Sequence, residues 1–103
     1  METIKPRFSE LLQKSEKPVL VDFYADWCGP CQAMAPVLSE TAAQMGDKVK
    51  VIKINVDKNQ AVSGIYRISG IPTLILFKKG NIIWRQSGII GLSELRKILE
   101  QYL

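Results

Sequence analysis

The feature that most limits the fold of this chain is a pair of short apolar runs separated by one amphipathic helix. Val19-Leu20-Val21-Asp22-Phe23-Tyr24-Ala25 is apolar at nearly every position, the pattern of a central strand covered on both faces. Val49 to Val56 is a second run, β-branched and predicted to be largely buried. Between them Met34, Val37, Leu38, Thr41, Ala42 and Met45 recur at helical spacing from Cys31 onward, and Gly46 supplies a stop. Two strands joined by a helix of that length imply a right-handed parallel crossover. The chain is predicted to be α/β.

The flanking segments complete the pattern. Lys5 to Lys14 reads as a short helix with a stripe of Phe8, Leu11 and Leu12, and Asn59 to Tyr66 as another. Pro72 opens a strand at Thr73 to Phe77, where its missing donor is tolerated. Lys78-Lys79-Gly80-Asn81 is a turn, after which Ile82 to Ser87 returns antiparallel. Gly88 and Gly91 flank a further break, and Ser93 is predicted to cap a last helix with Leu95, Ile98, Leu99 and Tyr102 on its apolar stripe. With 103 residues, no repeat and no linker, one domain spanning residues 1–103 is expected.

Composition removes several functional classes. No apolar run approaches the ~18 residues of a membrane helix, and the first residues lack the apolar core of a secretory signal, so a soluble, cytoplasmic protein is expected. Net charge is +4, but the 14 basic residues are scattered and form no basic face with interleaved aromatics, which argues against nucleic acid. The chain contains no His, so acid–base chemistry near neutral pH falls to Cys, to a perturbed Asp, Glu or Lys, or to the N-terminal amine.

The two cysteines, Cys28 and Cys31, stand three positions apart, a spacing that random placement seldom produces. Three readings compete. A structural disulfide closing so short a loop restrains the unfolded chain little. A metal site needs about four ligands, and two thiols without imidazole would have to be shared between two chains, for zinc or an iron–sulfur cluster. Thiol–disulfide exchange needs two thiols able to close on each other.

Cys28 lies just past the C-terminal end of the first strand and at the start of the long helix, where unpaired amides and the helix dipole favour a thiolate. Cys31, a turn further in, is expected to be less exposed. Gly29-Pro30 suits a chain entering a helix, and Pro36 either kinks that helix or is a packing accident. Asp22 is a charge within an apolar strand. It is either on a solvent face or a buried carboxyl of raised pKa, able to take a proton from a thiol. Lys53 interrupts the second strand and is either a snorkelling surface lysine or a partner for Asp22.

The segment Asp22-Phe23-Tyr24-Ala25-Asp26-Trp27-Cys28-Gly29-Pro30-Cys31, with Pro36 downstream, resembles the active-site segment of the thioredoxin family. Gly70-Ile71-Pro72-Thr73 resembles that family's cis-proline loop, and Lys78 to Asn81 its hairpin turn. The resemblance covers about residues 18–103. It implies a thioredoxin fold, a mixed sheet of four to five strands flanked by helices, built as a βαβ unit followed by a ββα unit. It further implies that Cys28 attacks and Cys31 resolves, forming a redox-active disulfide, and that Asp22 is a buried proton acceptor modulated by a buried Lys53. The Ile71–Pro72 bond would be cis. Trp27, Gly29, Pro30, Ile71, Pro72, Gly88 and Ile89 would form an apolar docking surface.

The implied activity is protein-disulfide reduction on client proteins, with no bound cofactor and with electrons from NADPH through a thioredoxin reductase. A monomer is expected, Ile89 and Ile90 being the patch through which a dimer would meet. The rivals are a secretory dithiol oxidant or isomerase and a non-catalytic subunit role. Three departures from the family stand out: Tyr24 and Gln32 replace a common Trp and Lys, and the N-terminus is short enough to leave a first strand stunted or absent.

Overall fold

The computed structural model describes residues 4–103, with side chains from Phe8 onward. The elements are α1 (Ile4–Lys14), β1 (Val19–Tyr24), α2 (Gly29–Met45), a 3₁₀ turn at Gly46–Lys48, β2 (Lys50–Asn55), α3 (Gln60–Ile65), β3 (Thr73–Lys78), β4 (Asn81–Ser87) and α4 (Leu92–Gln101). Whether the family's first strand is stunted or absent is a question about the residues before position 4, outside the described residues.

Among the described residues the sheet has four strands in the order β2-β1-β3-β4. β1 pairs parallel with β2, while β1–β3 and β3–β4 are antiparallel. This is the mixed sheet of the expected thioredoxin fold. Because side chains alternate across a strand, β1 feeds two cores. Leu20 joins Met34 and Leu38 of α2, Leu74 and Leu76 of β3, and Leu95 and Leu99 of α4. Val19, Val21 and Phe23 join Phe8 and Leu12 of α1, Val62 of α3, and Ile75 and Phe77 of β3. β1 and β3 are thus the sheet's interior strands, buried on both faces.

The second strand differs from expectation. Among the described residues β2 is an edge strand, and only Ile54 and Asn55 within it are buried, while Lys50 and Lys53 face solvent. Cys31, Met34, Leu38, Thr41 and Met45 form the buried stripe of α2, while Ala42 is exposed. The helix continues through Pro36. Ser93 lies inside α4, not at its cap. Gly91 holds the cap position with extended backbone, and its carbonyl accepts the Leu95 N–H at 3.0 Å.

The β3–β4 connection shows why glycine stands at position 80. Lys79 and Gly80 both have positive φ, 52° and 85°, the conformation of a two-residue hairpin turn whose twist matches its strands. A Cβ at Gly80 would also meet Gln13 Cγ at 2.9 Å. The hairpin holds β4 against β3 and so carries Ser87 and Gly88 to the carboxyl end of β1.

Candidate active site

The site sits where β1 ends. The Cys28 N–H donates to the Ala25 carbonyl at 3.2 Å, turning the chain out of β1, and Cys28 then caps α2 with extended backbone. Its carbonyl accepts the Gln32 N–H at 3.2 Å, the first bond of the helix. Its Sγ accepts the Cys31 N–H at 3.1 Å, satisfying one of the orphan donors of a helix start. Pro30 falls in the first turn, where a missing amide donor costs nothing.

Cys28 and Cys31 form a disulfide, with Cα atoms 5.2 Å apart. The two residues are almost equally covered, 4% and 5% exposed, so burial does not separate them as the sequence suggested. A depression of about 200 Å³ opens beside Cys31, lined also by Tyr24, Asp26, Gln32, Ala35 and Lys53. Gln32, where a lysine is common, donates its Nε2–H to the Asp26 carbonyl at 3.2 Å and so braces the loop before Cys28.

Asp22 lies two positions before Tyr24 on the same face of β1 and is 1% exposed. Neither carboxylate oxygen has a hydrogen-bond partner. Burial pushes its pKa from 3.8 up to about 6, against the opposing attraction of the Lys53 ammonium. Asp22 and Lys53 are register partners on β1 and β2, as their possible pairing required. Lys53 is nevertheless exposed, not buried, on the outermost strand among the described residues, and its Nζ lies 4.7 Å from the centroid of the Tyr24 ring.

Of the residues anticipated as a docking surface, Ile71 lies beside Cys28 and Gly88 is tied to Pro72. The Ile71–Pro72 bond is cis, and the Ile71 carbonyl oxygen lies 3.8 Å from Cys28 Sγ. Gly88, at φ 95°, donates its N–H to the Pro72 carbonyl at 2.8 Å, which brings the β4–α4 loop against the same edge. Trp27 and Ile89 stand 70% and 58% exposed, unusual for large apolar side chains. Gly29, Pro30 and Gly88 are also exposed and Ile71 is half-buried, whereas Pro72, anticipated as part of the same surface, is buried.

Asp57 is a site residue that the sequence reading missed. Its Oδ2 accepts the Trp27 indole N–H at 2.8 Å, fixing the exposed ring. Its backbone N–H in turn donates to Asn55 Oδ1 at 2.9 Å. The available signal was position: Asp57 follows the end of a strand parallel to β1, on the sheet edge where open α/β folds gather their sites.

Comparison with known proteins decides the family. The thioredoxin family model matches residues 1–101. The chain belongs to the thioredoxin family. It is 48% identical over 96 residues to thioredoxin Y, chloroplastic, of Oryza sativa subsp. japonica, covering 93% of this chain and 57% of that protein. A thioredoxin-like protein of Synechocystis is 44% identical over 96 residues, with 93% of this chain and 91% of that protein covered. The thioredoxin of Haemophilus influenzae is 41% identical, with 93% and 90% covered. The chain therefore spans little more than half the length of the rice protein but nine-tenths of the other two. Its Cys28–Cys31 pair fits the active site of a thiol–disulfide oxidoreductase of the thioredoxin family.

Proposed function

We propose that this chain is a protein-disulfide reductase acting by dithiol exchange. The observation that carries the reading is the position of Cys28 Sγ. It lies at a helix start, accepts the Cys31 N–H at 3.1 Å, and is 3.8 Å from the Ile71 carbonyl at the exposed edge. An anion at that place gains a hydrogen bond and the favourable end of the α2 dipole, so the reduced pair holds its negative charge on Cys28.

The exchange runs in two displacements. The Cys28 thiolate attacks one sulfur of a client disulfide; the client S–S bond breaks, a Cys28–client bond forms, and one client thiolate leaves. Cys31 loses its proton to Asp22 and attacks Cys28 Sγ, which closes the Cys28–Cys31 disulfide and releases the second client thiolate. Two electrons pass to the client, and no bound cofactor is required. Asp22 suits the acceptor role because burial holds its carboxyl at about 6, near neutrality, where proton transfer is efficient. Lys53 modulates it by limiting that rise.

The client docks as an extended segment over Trp27, Gly29, Pro30, Ile71, Gly88 and Ile89, pairing with backbone on the Ile71 side. The Pro72 carbonyl is already taken by Gly88. A thioredoxin reductase drawing on NADPH returns the pair to the dithiol, in a reducing compartment of which the cytoplasm is the expected one. The chain works as a monomer.

The test is reduction of insulin by the chain with dithiothreitol as electron source. The wild type should accelerate precipitation of the insulin B chain, and Cys28→Ser should abolish the acceleration. Equal acceleration by Cys28→Ser would end the reading.

A further inference from the structure

The segment that carries Ile71 and Pro72 begins at the end of α3, and what fixes its beginning lies outside the cysteine site. α3 is only six residues long, and Tyr66 and Arg67 follow it, Arg67 at a positive φ of 54°. Carbonyls at a helix end have no partner within the helix. Here two are met from β4. Arg85 donates from Nη1 to the Tyr66 carbonyl, and from Nη2 to the Arg67 carbonyl at 3.0 Å. Arg85 pairs with Ile75 in the sheet, on the side that α3 covers, so the strand register aims the guanidinium at this turn.

The far end of the same segment is also tied to β4 and β3. Thr73 Oγ1 donates to the Gly70 carbonyl and lies 2.8 Å from Ser87 Oγ, and the Gly88 N–H holds the Pro72 carbonyl. Within the segment, the Ile68 N–H returns to the Ser63 carbonyl at 3.0 Å. From Arg67 to Pro72 the backbone is thus anchored at both ends and held between them at Ile68. Arg85 is the charged anchor and the one made by a single exposed side chain.

We propose that Arg85 is a positioning residue for client docking: its two-point clamp on the Tyr66 and Arg67 carbonyls fixes where Ile71 stands relative to Cys28. The inference rests on the reading that clients dock at the Ile71 edge. The clamp depends on the planar fork of the guanidinium, two donors at a fixed spacing, which an ammonium does not reproduce. Loss of the clamp lowers the fraction of molecules whose edge is ready for a client, and apparent affinity falls by that fraction. The sulfur chemistry, which needs only Cys28, Cys31 and Asp22, stays as it was.

Arg85→Lys and Arg85→Ala separate these effects. The pre-reduced chain is mixed in a stopped-flow instrument with insulin over a range of concentrations, and separately with hydroxyethyl disulfide, too small to need the edge. For both variants the half-saturating insulin concentration should rise about fivefold, with the limiting rate and the hydroxyethyl disulfide rate within about twofold of wild type. Amide exchange at Ile68 to Ile71 should speed up by a similar factor in the reduced protein. An unchanged insulin dependence, or full retention by Arg85→Lys, would overturn the proposal. So would an equal fall with both disulfides, which marks general loosening. Failure of the docking reading looks different: the wild type itself would then show no saturation with insulin while still reducing the small disulfide.

Discussion

Asp22 and Lys53 stand opposite each other on β1 and β2, yet the ammonium lies over the Tyr24 ring at 4.7 Å and leaves both Asp22 carboxylate oxygens without a hydrogen bond. The carboxyl is therefore governed first by burial and only second by its cationic neighbour. That ordering sets the expectations for pH and for substitution.

A carboxyl whose pKa is about 6 in the fold and 3.8 when unfolded binds its proton more tightly in the native state. Stability then falls as pH rises between those values, and above about 6 the buried charge costs roughly 3 kcal/mol. Asp22→Asn in the oxidised protein should be more stable than wild type by about 2 kcal/mol at pH 8, part of the gain being lost to the buried amide. The advantage should shrink or vanish at pH 4. Urea unfolding at the two values checks this, and an advantage that does not change with pH would contradict it.

Lys53 opposes the effect of burial, so its removal should move the carboxyl further up. In Lys53→Met the Asp22 titration, followed by carbon NMR of the side-chain carboxyl, should shift above about 6. A midpoint that stays in place would mean that the lysine charge is screened from Asp22.

If Asp22 accepts the Cys31 proton, Asp22→Asn should slow the second displacement near neutral pH about a hundredfold or more, within the usual range for a general base. The first displacement by Cys28 should be little affected. Rapid mixing with a preformed mixed disulfide isolates the second step, and an unchanged rate across pH 6–9 would remove Asp22 from the role.

The division of labour between the thiols has a direct chemical consequence. Cys31→Ser should accumulate mixed disulfides between Cys28 and insulin chains, visible on non-reducing gels, while Cys28→Ser should not. Equal trapping by both variants would overturn the assignment.

Much of this arrangement is legible in the chain because it is local. The Val19–Tyr24 run, the stripe of α2 and the Cys28-Gly29-Pro30-Cys31 start of that helix follow from periodicity and helix-terminal chemistry, whereas the Asp22–Lys53 pairing is only one of two readings until the strand register is known. What pattern alone does not reveal is the sheet's lateral order. β2 is β-branched like an interior strand, yet among the described residues it lies at the edge, with Lys53 exposed. The Asp57–Trp27 and Arg85–Arg67 contacts span 30 and 18 residues, and no local spacing brings such pairs together. Ser93 stands two residues past the α4 cap, which is filled by the Gly91 backbone and so leaves no side-chain signal to read.

The measurement that bears most directly on the reductase reading is the equilibrium of the Cys28–Cys31 couple against glutathione buffers of known potential. A reductase of this family is expected to have a couple at or below the low end of a cytosolic glutathione poise of about −220 to −260 mV, and 30 mV corresponds to about 1.4 kcal/mol for two electrons. The account predicts a value on that low side, with Cys28 and Cys31 reduced only in the most reducing buffers. A value well above the poise would contradict it and make the chain an oxidant or isomerase.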